Sequence, residues 1–133
     1  MNAFIVDLKN KPGEFAKVAD ALANKGINIS GFAGVTTGDT GAVVLVAEDE
    51  SGARDALTQG GWTYRSVELV TGSFADRPGT LAAGAHLLAD AGVNVEAALP
   101  MGTRDGMVQV AFATDNPAKA RSLLEGQPVG TAG

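Results

Sequence analysis

The chain has 133 residues, which suits one domain or two very small ones. Its 45% hydrophobic and 19% charged residues are typical of a folded globular chain, and its net charge of −5 without a basic stripe argues against nucleic-acid binding. With no cysteine and a single histidine, the sequence excludes disulfides, thiolate metal sites, thiol catalysis and a histidine-built metal site within one chain.

The amino-terminal stretch MNAFIVDLK lacks a basic segment followed by a long apolar run, so we expect no secretory leader. The longest apolar run, AVVLVA at 42–47, is far too short to cross a membrane. We therefore expect a cytoplasmic protein that has no membrane partner. Nothing in the sequence indicates a bound cofactor or metal.

The same pattern occurs twice, at an offset of 66 residues and without a gap. The stretch NKPGEFAKVADALANKGINIS (10–30) aligns with DRPGTLAAGAHLLADAGVNVE (76–96). The coincident pairs include Pro12 with Pro78, Gly13 with Gly79, Gly26 with Gly92, Asn28 with Asn94, Asp49 with Asp115 and Leu57 with Leu123. We predict two units, 1–66 and 67–133, each near the lower size limit for folding alone.

The first unit begins with a strand over AFIVDL (3–8) and turns at Pro12, whose fixed φ suits the start of a helix. The helix that follows is predicted from a buried stripe at helical spacing, and Gly26 ends it. That stripe consists of Phe15, Val18, Ala19 and Leu22. The remaining elements are strands at 27–35 and 42–47, a helix over DESGARDAL (49–57) and a closing strand over WTYRSVEL (62–69).

The second unit repeats this order. Its elements are strands over VELVTGSF (67–74), VNVEAAL (93–99) and MVQVAFA (107–113), a helix with the stripe Leu81, Ala85 and Leu88, and a helix over NPAKARSLL (116–124). The order βαββαβ predicts an α+β fold of two tandem ferredoxin-like units with antiparallel sheets and both helices on one face. By the repeat, the last strand of the second unit starts near residue 128, so we expect it to be truncated. The edge of 67–74 would then be open or covered from elsewhere.

The repeated segments resemble the signature of ACT domains. In the first unit the resemblance rests on Asn10-Lys11-Pro12-Gly13 followed by Gly26-Ile27-Asn28-Ile29. In the second it rests on Asp76-Arg77-Pro78-Gly79 followed by Gly92-Val93-Asn94-Val95. The resemblance implies a free-standing tandem ACT protein, meaning a non-catalytic regulatory protein that binds an amino acid at the interface between paired ACT units. It also implies a homo-oligomer, with a dimer as the simplest case.

The candidate ligand-binding residues lie at each strand–helix turn and at the start of each second strand. They are Asn10, Lys11, Pro12, Gly13, Asn28 and Ile29 in the first unit, and Asp76, Arg77, Pro78, Gly79, Asn94 and Val95 in the second. The resemblance assigns ligand contacts to Asn10 and Asn28, and by the repeat to Asp76 and Asn94. Free N–H groups at a helix N-terminus attract a carboxylate, and an ionised aspartate favours an ammonium.

Several alternatives stay open on the sequence alone. Asn28 and Asn94 could satisfy backbone groups at a helix–strand junction, the Pro-Gly pairs could be structural turns only, and Asp76 could cap its helix. The chain could instead dock on an amino-acid biosynthetic enzyme as a regulatory subunit, since it resembles part of the acetolactate synthase small subunit. A small enzyme on this plait is a third reading, although no nucleophile–base pair is present. Small residues in the strands favour a hydrophobic amino acid as the ligand.

Overall fold

The computed structural model describes residues 1–130. The chain divides into two compact units, one from Asn2 to Val67 and one from Glu68 onwards together with Met1. The secondary structure consists of β1 (Asn2–Lys9), α1 (Glu14–Ala23), β2 (Ile29–Thr37), β3 (Thr40–Ala47), α2 (Glu50–Gln59), β4 (Tyr64–Ala75), α3 (Thr80–Asp90), β5 (Val95–Arg104), β6 (Met107–Thr114) and α4 (Pro117–Leu124).

The first unit is a ferredoxin-like plait. Its strands lie in the order β2-β3-β1 with the start of β4 beside β1, and both β1 and β2 pair antiparallel with β3. The Asp7 N–H donates to the Thr63 carbonyl oxygen at 2.9 Å, which begins the closing strand. Apolar side chains from one sheet face and from the two helices form the core, which contains Phe4, Val18, Leu22, Leu45 and Leu57.

The second unit repeats the arrangement with the end of β4, then β6, then β5, all antiparallel. Its core contains Val70, Phe74, Leu88, Phe112 and Leu124. The predicted α+β plait is therefore confirmed in both units. The two strands predicted at 62–69 and 67–74 form one continuous strand, β4, because no turn residue interrupts the apolar alternation between them.

Near residue 128, where the sequence predicts the start of an antiparallel closing strand, the described residues show one isolated parallel bridge and no strand. Val129 forms a single bridge with Phe74, in which the Val129 N–H donates to the Ser73 carbonyl oxygen and the Ala75 N–H donates to Val129. The Val129 side chain is buried in the second core. The part of the predicted strand beyond residue 130 lies outside the described residues.

The ungapped repeat is wrong beyond the middle of the second strand of each unit. The N-caps of α1 and α3 are Gly13 and Gly79, which are 66 residues apart. The N-caps of α2 and α4 are Asp49 and Asn116, which are 67 residues apart. The offset therefore becomes 67 in the second half of each unit. The extra residue is accommodated by a bulge in β5 between Pro100 and Gly102, for which the first unit has no equivalent.

The predicted helix stripes are only partly right. Phe15 and Leu81 are 44% and 59% exposed, and Ala85 is exposed as well. In α3 the core-facing residues are Thr80, Gly84 and Leu88. The first-turn residues Phe15 and Leu81 project past the ends of the cores, which leaves them to line the grooves described below.

One exchange of volume distinguishes the two cores. At the position of Leu8 in the first unit, the second unit has the larger Phe74. At the position of Val18, it has Gly84, which has no side chain. A Cβ atom placed on Gly84 would lie 2.2 Å from Cε1 of Phe74, far inside van der Waals contact. The Phe74 ring is 3% exposed and also packs on Phe112 at a centroid distance of 5.9 Å, so it has little room to move. Gly84 is thus required by packing, since native cores leave few voids.

We predict that Gly84→Ala destabilises the second unit, although glycine inside a helix normally costs about 0.5–1 kcal/mol relative to alanine. Overpacking a filled core costs about 1–3 kcal/mol, which should exceed the gain in helix propensity from replacing glycine by alanine. Urea denaturation of the variant measures the change in the free energy of unfolding. In the matched background Phe74→Leu the same substitution should be neutral or stabilising, because the ring is gone. A stabilised single variant Gly84→Ala would contradict the packing assignment.

Candidate functional site

The turn between the first strand and the first helix of each unit has the same geometry. Gly13 and Gly79 are the helix N-caps, and both have φ 90° and ψ −11°, a left-handed conformation that glycine adopts without strain. Neither helix has a side-chain cap at this end. The Glu14 and Thr80 N–H groups donate to the carbonyl oxygens of Lys11 and Arg77 at 3.4 and 3.5 Å. The N–H groups of the next two residues of each helix are left for solvent or a ligand, with the positive end of the helix dipole beside them.

A groove of about 280 Å³ lies against this turn in the first unit. We call it the first groove. It is bordered by the turn, by the exposed ring of Phe15 and by the edge hairpin β2–β3. Its lining residues are Leu8, Lys9, Asn10, Lys11, Glu14, Phe15, Gly34, Val35, Thr36, Ala42 and Val43.

A second groove occupies the equivalent place in the second unit and measures about 430 Å³. It lies between the β4–α3 turn and the β5–β6 hairpin, and its walls are mainly apolar. Its lining residues are Phe74, Ala75, Asp76, Arg77, Gly79, Thr80, Leu81, Ala98, Leu99, Pro100, Val108 and Val110. Two independent copies of the repeat thus place a groove at the same helix N-terminus.

The structure brings five of the twelve predicted site residues to the groove walls. They are Asn10 and Lys11 in the first groove, and Asp76, Arg77 and Gly79 in the second. Pro12, Gly13 and Pro78 form the turns without lining either groove. The left-handed φ explains Gly13 and Gly79 by backbone geometry whether or not a ligand binds.

The residues predicted at the start of the second strands lie elsewhere. The Asn28 amide donates to Oε1 of Glu48 at 3.1 Å, and the backbone N–H of Asn94 donates to Oδ1 of Asp115 at 2.8 Å. Neither asparagine lines a groove, and the following Ile29 packs on the first core. Contacts from these positions to a ligand stay a prediction that would require a second ACT unit to approach them.

The charges at the two turns differ. In the first groove Glu14 opens α1, and the hydrogen-bonded Lys17 ammonium, 3.2 Å away, holds the pKa of Glu14 below its usual range. Glu14 therefore carries a negative charge at neutral pH. In the second groove the equivalent residue is the neutral Thr80, whose hydroxyl donates to the carbonyl oxygens of Ala75 and Arg77. The Arg77 guanidinium donates to the carbonyl oxygen of Gly130.

The hairpin residues of the grooves escaped the sequence analysis. The sequence predicts strands at Gly34, Ala98 and Val110 without a role for them and leaves Pro100 just beyond the strand 93–99, because the position of these residues beside the turn depends on the sheet pairing. A usable signal was present in Pro100, because proline inside a strand indicates an edge or an irregularity rather than a central strand.

Comparisons with known proteins bear on the family and the fold. Residues 3–59 match the family model of the ACT domain, so the first unit is an ACT domain, as the resemblance implied. Searching the curated proteins finds no match. A solved structure of a protein from Bacteroides thetaiotaomicron is 24% identical, covers 92% of this chain and 84% of that chain, and gives a TM-score of 0.77.

Regulatory subunits of aspartate kinase share the fold as well. The ligand-free structure from Thermus thermophilus is 19% identical, covers 92% of this chain and 87% of that chain, and gives a TM-score of 0.62. The structure from Thermus flavus is 21% identical, with coverage of 92% and 89% and a TM-score of 0.65. At these identities the likeness shows the tandem fold, and the second unit of this chain repeats the fold of the first.

Within residues 1–130, no group of three or more histidine, cysteine, aspartate or glutamate side chains is placed to hold a metal ion. Within the same described residues, no helix has the length and apolar character needed to span a membrane.

We predict that Asn10→Ala loosens the first groove. The Asn10 amide donates to the Gly38 carbonyl oxygen at 2.9 Å and its backbone N–H donates to Asp39 at 3.0 Å, so this residue ties the turn to the β2–β3 hairpin. Loss of an exposed side-chain hydrogen bond should cost about 0.5–1.5 kcal/mol. Hydrogen exchange should therefore accelerate at residues 38–40 and at residue 10. The matched variant Asp76→Ala, at the equivalent turn, should leave these amides unchanged, and unaltered protection in Asn10→Ala would refute the role of the bond.

Proposed function

We propose that this chain is a non-catalytic, amino-acid-binding regulatory protein, with the ligand held at the strand–helix turn of an ACT unit. The observation that carries the proposal is the recurrence of a groove at the same uncapped helix N-terminus in both units. Uncapped N–H groups suit the carboxylate of a free amino acid. The carboxylate of Asp76, on the wall of the second groove, suits its ammonium.

The proposed mechanism is a shift between packing states. Both grooves open to the surface along an edge hairpin, so a second ACT unit is proposed to close over the bound amino acid, with the ligand at the interface between ACT units. A ligand shifts such an equilibrium only by its difference in affinity for the two states. The asparagines Asn28 and Asn94 become ligand contacts in this proposal if the closing unit supplies them.

A homo-oligomer, most simply a dimer, is part of the proposal. Strand β2 ends the strand order of the first unit, and its Phe32 and Val35 side chains are 60% and 68% exposed. An edge strand with exposed apolar side chains is a surface that proteins usually cover. A second copy of the chain would supply that cover. The proposal also places the protein in the cytoplasm, where free amino acids meet the enzymes that make them.

An alternative is a regulatory subunit that docks on an amino-acid biosynthetic enzyme. The observation favouring it is that the Thermus proteins of the same tandem fold are regulatory subunits of aspartate kinase. Affinity purification of the tagged chain from its source cells distinguishes the two. A stoichiometric biosynthetic enzyme in the purified material supports the alternative, whereas a homo-oligomer alone supports the free-standing sensor.

The main proposal predicts that thermal unfolding responds to one chemically related group of amino acids. A ligand at 100 times its Kd adds about 2.7 kcal/mol to the free energy of unfolding, because it binds the native state only. The transition should therefore rise by roughly several degrees in a chain of this size. The measurement is a panel of the twenty amino acids at millimolar concentration. If none raises the transition, amino-acid binding by the free chain is refuted, and partner proteins become the object of study.

A further inference from the structure

We propose that the second groove alone selects the ligand, and that it takes an α-amino acid with a medium or large apolar side chain of the leucine, valine or methionine class. This inference rests on the proposed function and makes it more specific. It assigns unequal roles to the two grooves, with the first groove left unable to take the same ligand.

Side-chain size separates the two grooves. The aromatic ring of Phe15 lines the first groove and contacts the ring of Phe32 at a centroid distance of 5.8 Å. The second unit has the smaller Leu81 and Ala98 at the equivalent positions. The pairing confirms the equivalence of the strand positions, because Phe32 lies opposite Leu45 in the way that Ala98 lies opposite Phe112. Leu81 is smaller than Phe15 and leaves more room at this wall of the second groove, which measures about 430 Å³ against about 280 Å³ for the first.

The floor of the second groove is apolar. Pro100 lies opposite Val110 in the sheet, and both line the groove together with Phe74, Ala98 and Val108. At about 430 Å³ the groove is within the size range of small-molecule sites, which are mostly apolar with a few polar groups that orient the ligand. An apolar side chain gains from burial here, whereas a charged one would lose its hydration without a partner.

The polar groups of the second groove lie at one end, beside the turn. Asp76 is exposed there and offers its carboxylate to an ammonium. Arg77 keeps N–H groups beyond the one that contacts Gly130, since a guanidinium has five. A zwitterionic backbone placed at this end directs its side chain along the apolar floor. The ligand is therefore an amino acid and not a simple hydrocarbon.

Charge acts against the same ligand in the first groove. Ionised Glu14 lies at the start of α1, where a ligand carboxylate would need to sit, and repels it. Thr80 has no charge at the equivalent place, and its hydroxyl is already satisfied by two backbone carbonyl oxygens. Lys9 lines the first groove at the place where the second groove has the apolar Ala75, whereas Lys11 has the charged counterpart Arg77. Shape and charge therefore favour the second groove together.

The test uses isothermal titration of the full chain with L-leucine, L-valine, L-methionine, L-alanine, L-lysine and L-aspartate. Leucine, valine or methionine should bind at one site per chain and at least about tenfold more tightly than alanine or the charged amino acids, since each methylene in an apolar pocket is worth roughly 10-fold or more.

Two matched substitutions locate the site. Ala98→Phe places in the second groove the residue that the first unit has at position 32, and Ala98 is exposed, so the ring can be accommodated without entering the core. It should weaken binding of the preferred amino acid by about tenfold or more. The reverse change, Phe32→Ala, should alter the affinity by less than about threefold, because Phe32 lies in the first unit and does not line the second groove. Leu81→Ala, at a residue 59% exposed, is a second probe that should also weaken binding without unfolding the chain.

The outcomes separate this inference from the proposed function. If a charged amino acid binds best, or if Phe32→Ala abolishes binding while Ala98→Phe does not, the assignment of the second groove is overturned and amino-acid binding stands. If two equivalent sites per chain bind the same apolar amino acid, the inequality of the grooves is overturned. If none of the amino acids binds, the proposed function itself fails and this inference fails with it.

Discussion

Each unit depends on the left-handed glycine between its first strand and its first helix. At φ 90° the backbone of Gly13 or Gly79 turns directly from a strand into a helix, without a residue that caps the helix through its side chain. This turn sets the start of the core-facing helix and leaves its first N–H groups outside the core. The same turn therefore carries both the packing of each unit and the polar end of its groove, which is why fold and candidate site are coupled here.

The two units share one backbone fold but differ in the sizes of the side chains in their cores and at their groove walls. In the cores the exchanges compensate, because a larger Phe74 accompanies a missing side chain at Gly84, and interior density is conserved. At the groove walls the exchanges run in both directions, because Leu81 is smaller than its counterpart Phe15 and Pro100 is larger than its counterpart Gly34. Positions at the surface are free of the density constraint, so change can accumulate there without loss of stability. The asymmetry of the grooves follows from this difference.

Much of the fold could be predicted from local patterns. Periodic apolar residues, with Pro12 and Gly13 before them and Gly26 after them, indicate a helix. The prediction of four helices in two βαββ repeats is confirmed. The change of offset from 66 to 67 was missed because the bulge at Pro100 inserts one residue without a break in the strand pattern. The exposure of Phe15 was missed because periodicity places a residue on a helix face but does not say how far the core extends along it.

For the candidate site, the sequence by itself determined the two turns and their polar residues, because glycine conformation, proline geometry and the helix N-terminus are all local properties. Only the tertiary structure decided that the hairpins β2–β3 and β5–β6 complete the grooves, that Asn28 and Asn94 lie away from them, and that the second groove is the larger. These facts depend on strand pairing and on volumes contributed by residues distant in sequence. Neither the strand pairing nor these volumes can be inferred from a single sequence, because both are determined by the free energy of non-local packing.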